Sequence, residues 1–340
     1  MTIAFVFPGQ GSQSVGMGKA AYEASEWARR VFDEADAILG YPLSKICFEG
    51  PAERLDDTAV SQPAILTTSI ALLEAFIEQV QAALRPDPAA AASTVSWPGT
   101  PQDIAALPEL LRPRFVAGHS LGEYSALVAA GALPFADALR LVAERGRLAA
   151  TKGARGVMAA VVGLSAQEVE RVIATAVPDG TAVVANDNGP AQVTIAGEQG
   201  SIAVAVDALV RRGARKVVQL RISRPFHFPP MARIGDELRT FMAGLPFTDP
   251  VVPVVANVSA RPYGAAADIP DTLVRHLSQR VEWLKSVRFM AERGASTFVE
   301  IGAGQVVNGL IDRIADVELL NVSDPSSIRR AVDRLRTRLG

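Results

Sequence analysis

Short apolar runs alternate with stretches of helical periodicity along most of the chain, the pattern of an α/β protein. Residues 3 to 7, I-A-F-V-F, are closed by Pro8-Gly9 and predict a buried strand at the start of the domain. Helical patterns follow at about 18 to 39 and 62 to 84. The segment 86 to 113, rich in alanine and proline, interrupts this order and ends in a possible helical turn before the apolar strand R-F-V-A-G. Connections of that length are uncommon inside a compact domain, and this one reads as a disordered surface insertion in preference to a lid or docking element.

Residues 157 to 223 have an order of their own. V-M-A-A-V-V-G-L reads as a strand, S-A-Q-E-V-E-R-V-I-A-T-A-V as a capped helix, and T-A-V-V-A-N and Q-V-T-I-A-G as two strands about the turn D-N-G-P. A helix ending at Gly213 and the strand R-K-V-V-Q-L-R-I complete a β-α-β-β-α-β series, the order of a ferredoxin-like unit. Strand and helix patterns resume afterwards with V-V-P-V-V-A-N, T-F-V-E-I and a final helix. The expected architecture is an α/β domain over residues 1–153 and 225–340, with a small ferredoxin-like domain inserted at 154–224.

Composition narrows the partners. Lysine plus arginine is 34 against 36 for aspartate plus glutamate, a net charge of -2, so neither nucleic acid nor an anionic membrane is expected as the main partner. The one cysteine, Cys47, leaves no internal disulfide and no cysteine-built metal cluster, and fits a reducing compartment. M-T-I-A-F-V-F-P-G has no basic leader and too short an apolar run for a signal peptide or a membrane span, and a cytoplasmic protein is expected.

The chemistry centres on Gly118-His119-Ser120-Leu121-Gly122, which fits the G-x-S-x-G elbow that presents a serine hydroxyl on a sharp strand-to-helix turn. An apolar strand precedes it and a helical run follows, as the motif requires. Serine needs a base, and only three histidines exist. His119 adjoins the serine and should point elsewhere, into a structural hydrogen bond. His227, among prolines where the inserted domain returns to the large one, and His276 both remain candidates. For the oxyanion, the amide of Leu121 is the usual first donor, and a second must come from another loop. The turn P-G-Q-G-S-Q at 8 to 13 is available, since its glycines allow close approach. It fits neither phosphate-binding pattern, because Ser14 stands at the third glycine of G-x-G-x-x-G and no G-K-[ST] follows.

Taken together and in order, these segments resemble the malonyl-CoA:acyl carrier protein transacylase family, with the related acyltransferases of fatty acid and polyketide synthesis. The resemblance rests on F-V-F-P-G-Q-G-S-Q, S-Q-P-A-I at 61 to 65, G-H-S-L-G-E-Y-S-A-L-V-A-A-G-A-L, L-V-A-E-R-G-R-L, V-A-N-D-N-G-P-A-Q-V-T-I-A-G, P-F-H at 225 to 227 and F-V-E-I-G-A-G. It implies a hydrolase-like α/β large domain and a ferredoxin-like small one. It also implies Ser120 as nucleophile, His227 as base, the amides of Gln10 and Leu121 as oxyanion hole, and Arg145 as partner of the malonyl carboxylate. A backbone carbonyl is implied as the partner that orients His227, with Glu282 in S-Q-R-V-E-W as its source. Phe226 resembles malonyl-type members.

Two departures bear on the acyl group. Ala149 stands where the family usually has methionine, and a smaller side chain there would enlarge the acyl pocket; Phe228-Pro229-Pro230 follows the histidine where serine is usual. The resemblance implies malonyl-CoA and an acyl carrier protein as partners, no metal and no cofactor beyond the CoA thioester, and a monomer. Carrier proteins are generally acidic, so the basic run Arg211, Arg212, Arg215 and Lys216 is the candidate docking surface. The alternatives are a hydrolase clearing acyl groups from carriers or an acyltransferase for another acyl group with the same Ser-His site, an esterase using Ser120, Asp271 and His276, and a non-catalytic carrier-binding subunit.

Overall fold

The apolar run at the N-terminus becomes β1 (Thr2–Phe7), with Ile3 to Phe7 buried at the centre of a six-stranded sheet. The computed structural model describes residues 2–84, 104–222 and 224–337. After β1 come β2 (Phe115–Gly118), β3 (Val157–Val162), β4 (Ala182–Gly189), β5 (Gln192–Gly197) and β6 (Lys216–Gln219). The remaining strands are β7 (Val254–Ala256), β8 (Arg261–Pro262), β9 (Ala295–Ile301) and β10 (Glu318–Val322). The large sheet has the order β10-β9-β1-β2-β7-β8 and is parallel except where β8 meets β7.

Register places the site. β1 and β2 pair with Phe7 opposite Gly118, so the turn after each strand leaves from the same edge of the sheet. β7 ends beside them, just before Asn257. This is the carboxyl edge, where parallel sheets hold their ligands.

Helices cover the sheet. The longest, Thr58–Ala83, is long and apolar enough to cross a membrane, yet 94% of its most apolar stretch is buried inside the protein, which makes it a core helix. It starts a turn earlier than the apolar pattern predicts, because the Asp57 carboxylate accepts from the Ala59 N–H at 2.9 Å and caps it upstream of Pro63. The region expected to be one helix at 18 to 39 is two, Lys19–Ala24 and Glu26–Leu39. Ser25 separates them and caps the second by accepting from the Ala28 N–H at 3.0 Å.

The second sheet is antiparallel with the order β4-β5-β3-β6, and the helices Ala166–Ala176 and Gln199–Arg212 occupy the two expected places in the series. It has a hydrophobic cluster of its own, including Val161, Val169, Ile195 and Leu209. β4 continues through Asp187-Asn188-Gly189, so the hairpin turns at Pro190-Ala191, later than D-N-G-P predicts. β6 is shorter than predicted, an edge strand with Lys216, Val218 and Gln219 exposed. The two sheets are joined by backbone: the Val281 N–H donates to the Ala185 carbonyl and the Asp187 N–H to the Val281 carbonyl, each at 2.9 Å.

Of the expected insertion at 86 to 113, residues 86–103 lie outside the described residues. The rest packs onto the protein as two 3-10 turns, with Ile104, Leu107 and Leu111 buried and the Arg112 guanidinium donating to the carbonyls of Leu107 and Ala105.

Candidate active site

Three glycines let two turns meet at the carboxyl edge. A Cβ on Gly118 would stand 1.8 Å from the Gly122 carbonyl carbon, one on Gly122 would stand 2.2 Å from the Phe7 carbonyl oxygen, and one on Gly9 would stand 2.3 Å from the His119 carbonyl oxygen. Only hydrogen fits at these positions. Between them Ser120 sits at φ 52, in the left-handed region, before the helix Gly122–Ala129 begins. A serine pays no attention to that region by preference, so its surroundings must hold it there. Asn257, just after β7, does so by two bonds to the peptides that lead into the serine. Its Oδ1 accepts from the Ser120 N–H at 2.8 Å, and its Nδ2 donates to the Gly118 carbonyl at 2.6 Å.

His227 is the histidine brought to the serine, with its Nε2 2.8 Å from the Ser120 Oγ. Its Nδ1 lies 2.8 Å from the carbonyl of His276. A carbonyl only accepts, so Nδ1 carries the proton and Nε2 is free to take one from the hydroxyl. The expected acceptor, the Glu282 carbonyl, is committed elsewhere. Glu282 precedes the helix Trp283–Glu292, and its carbonyl receives the Ser286 N–H at 2.9 Å and the Ser286 hydroxyl at 3.0 Å. His276, whose carbonyl is free after its helix ends, supplies the contact instead. His227 too is held at positive φ, 60, and its N–H donates to the Leu277 carbonyl at 2.9 Å.

Among the described residues, two amides near the serine, those of Gln10 and Leu121, have no internal acceptor. Leu121 lies at a helix start, where amides are left over by geometry, and Gly9 brings the Gln10 turn against the same peptide. The Gln10 side chain fastens that turn to the helix Thr58–Ala83, donating to Thr58 Oγ1 at 3.1 Å and Ser61 Oγ at 3.0 Å.

Arg145 lies fully buried on the helix Phe135–Lys152. Its Nη1 donates to Gln62 Oε1 at 2.5 Å, and its guanidinium carbon lies 4.2 Å from the Phe226 ring centre and 5.6 Å from that of Tyr124. Nε and Nη2 have no hydrogen-bond partner; the nearby Tyr124 hydroxyl makes no bond of normal geometry with them. Buried donors without acceptors are costly, so this guanidinium is left in want of a planar, anionic partner. Phe226 lines the cleft in front of it, whereas Arg145 itself does not.

The cleft, of about 540 Å³, lies between the two sheets and is lined by Gln10, Ser120, His227, Phe226, Met158 and Asn188, among others. Ala149 does not line it. One turn beyond Arg145 on the same helix, Ala149 is buried in the main core together with Phe228 and Met231, so the smaller side chain does not open onto the substrate space. His119 points away from the reaction as expected, with Nε2 2.7 Å from Asn188 Oδ1 and its ring edge-on to Trp283. The esterase arrangement is not assembled, since Asp271 pairs with Arg239 at the surface and the His276 ring faces Glu123. Arg211, Arg212, Arg215 and Lys216 are all exposed, beside the start of β6, whose far end lines the cleft through Val218 and Gln219. Asn257 and Gln62 are functional neighbours that the sequence reading passed over, although Gln62 lies within its S-Q-P-A-I segment.

Burial, and then the charge of Arg145, push the His227 ring down to about 3, against the opposing pull of the His276 carbonyl. Only the neutral ring can accept the serine proton. His227 itself therefore adds no acid limb to kcat/KM for acylation between about pH 8 and about pH 5, the ordinary histidine range near 6.5 included. A stopped-flow pH profile with an acid limb centred near 6.5 that persists in Glu123→Gln would contradict this.

The chain resembles known proteins along nearly its whole length. The chain matches the model of the acyl transferase domain over residues 4–90 and 106–321. It is 39% identical over 338 residues to the malonyl CoA-acyl carrier protein transacylase of Bacillus subtilis, covering 98% of this chain and 97% of that one. Its structure resembles that of the acyl-carrier-protein-S-malonyltransferase from Bartonella henselae, with a TM-score of 0.85, 36% identity, and 99% of this chain and all 100% of the other covered. A chain from a solved complex of a type II PKS acyl-carrier protein with its malonyl-transacylase also aligns at a TM-score of 0.85, with 34% identity over 98% of this chain and 100% of its own length. The chain belongs to the acyl transferase domain family, among relatives named as malonyl CoA-acyl carrier protein transacylases.

Proposed function

We propose that this protein moves a malonyl group from malonyl-CoA to the phosphopantetheine thiol of an acyl carrier protein, by a two-step, ping-pong route through a malonyl-serine. The observation that carries the reading is the buried Arg145 guanidinium, with Nε and Nη2 unpaired, near a serine already bonded to a neutral histidine. His227 Nε2 takes the Ser120 proton as Oγ attacks the thioester carbonyl, and the amides of Gln10 and Leu121 receive the oxyanion. The tetrahedral adduct expels CoA as thiolate, and the histidine returns its proton to that sulfur. The carrier thiol then gives its proton to His227 and attacks the ester, and serine leaves reprotonated. The steps require no metal or redox group.

The two sheets fit a hydrolase-like large domain, residues 1–153 and 225–340, and a ferredoxin-like small domain, 154–224, with the substrate between them. Nucleophile, base and cation all come from one chain, which supports action as a monomer; the single buried Cys47 fits the cytoplasm. Hydrolysis of uncharged acyl chains has no use for a buried cation, which weighs against the hydrolase alternative. Initial rates varied in both substrates should give parallel double-reciprocal lines, and intersecting lines would contradict the acyl-enzyme route. The exposed run Arg211, Arg212, Arg215 and Lys216 is the docking surface offered to an acidic carrier. Charge reversal at Arg211 and Arg212 is expected to raise the KM for the carrier while sparing acylation by malonyl-CoA; unchanged carrier kinetics would remove this patch.

A further inference from the structure

Ser120 and His227 are two of the three non-glycine residues at positive φ among those described, and both need bracing. Their braces converge on one side chain. Asn257, which grips the two peptides leading into Ser120, is itself held by its backbone N–H donating to Glu123 Oε2 at 3.0 Å. The Asn257 carbonyl receives the Glu282 N–H at 2.8 Å, tying in the segment after His276. His276, whose carbonyl orients the catalytic ring, lays its own ring 4.8 Å from that of His227 and sets Nδ1 3.7 Å from Glu123 Oε2. The Tyr263 hydroxyl donates to Glu123 Oε1. Glu123 is completely buried, and its own N–H donates to the Ser120 carbonyl at 3.1 Å.

We propose that Glu123 is a positioning residue, whose carboxylate, by holding the Asn257 N–H, fixes in one frame the nucleophile turn gripped by the Asn257 side chain and the segment after His276 tied to the Asn257 carbonyl; His276 Nδ1 itself lies beyond hydrogen-bond distance. Glu123 touches neither substrate nor reacting atoms. Burial pushes its carboxyl up to about 7, while the bonds from Tyr263 and Asn257 and the charge of Arg145 favour the anion; Tyr124 and His276 are the other ionisable groups that face it. The two donors together require two acceptor oxygens, which only a carboxylate supplies. The inference rests on the Ser-His reading of the site, but not on the identity of the acyl group.

Glu123→Gln offers one acceptor oxygen and turns an NH₂ toward a donor. Acylation of Ser120 is expected to slow about tenfold to a hundredfold, as small misplacements of reacting groups do, with the KM for malonyl-CoA changed less than about threefold. Adding Tyr263→Phe removes the conflicting donor and should recover part of that loss. Tyr263→Phe alone, at a half-buried position, should cost about threefold to tenfold in kcat and keeps the test decisive if Glu123→Gln does not fold. Each variant is also read by its acylation burst with p-nitrophenyl acetate, which needs serine and histidine but neither CoA nor malonate, so failure of the malonyl reading leaves this test intact. An undiminished kcat and burst in Tyr263→Phe, or a double variant slower than Glu123→Gln, would overturn the proposal.

Discussion

Replacing His227 with alanine is expected to slow acylation of Ser120 by about 10²- to 10⁴-fold while leaving the KM for malonyl-CoA within a few fold. The size follows from the geometry. Nε2 is 2.8 Å from the serine oxygen, Nδ1 is occupied by a carbonyl, and the ring is held neutral, so among the described residues His227 is the base bonded to the hydroxyl. His276 stacks on His227 but turns its Nδ1 toward Glu123, and cannot substitute. Stopped-flow release of CoA measures the step directly. A variant that still acylates within tenfold of the unmodified rate would remove His227 from the mechanism.

Arg145→Met is the second large effect. Methionine keeps much of the apolar stem against Phe226 and Tyr124 but offers the carboxylate nothing. Loss of a bidentate arginine-carboxylate contact worth about 1.5 to 3 kcal/mol as a whole makes the preference for malonyl- over acetyl-CoA fall by roughly tenfold to a hundredfold. Acetyl transfer should hold or rise, because a buried charge without its partner has been removed. The same substitution lifts a positive charge from beside His227, so the ring's pKa rises and the acid limb of kcat/KM moves up in pH. Measuring both thioesters across pH separates these effects. Equal losses for malonyl- and acetyl-CoA would mean that Arg145 supports the fold of the pocket and does not choose the acyl group.

Local signals carried the fold and the nucleophile far, whereas the residues alone leave His227 and His276 both open as the base and only the resemblance implies His227. The elbow was legible because its requirements are local: a strand, two glycines that no side chain can replace, a serine and a helix. The second sheet was legible because each of its elements has its own period and turn chemistry. What escaped depends on contacts made across the chain. Asn257 reaches Ser120 over 137 positions and Glu123 reaches Asn257 over 134, and nothing around V-V-A-N or L-G-E-Y marks either side chain as more than a polar residue at an element's end. The acceptor for His227 was placed at Glu282 because a carbonyl in that stretch was expected, but which carbonyl is free depends on where the next helix starts. The expectation at Ala149 rests on side-chain size alone, whereas its place in the core depends on the packing of the helix Phe135–Lys152, which sequence spacing does not show.

Intact-protein mass spectrometry after brief exposure to malonyl-, methylmalonyl- and acetyl-CoA, each with and without a phosphopantetheinylated carrier protein, tests the central claim most directly. The expected result is a single malonyl adduct, mapped to Ser120, absent from Ser120→Ala, stable in buffer and transferred when the carrier is added. An acetyl adduct in its place would contradict the role given to Arg145, and an adduct that decays as fast without the carrier as with it would make water the acceptor.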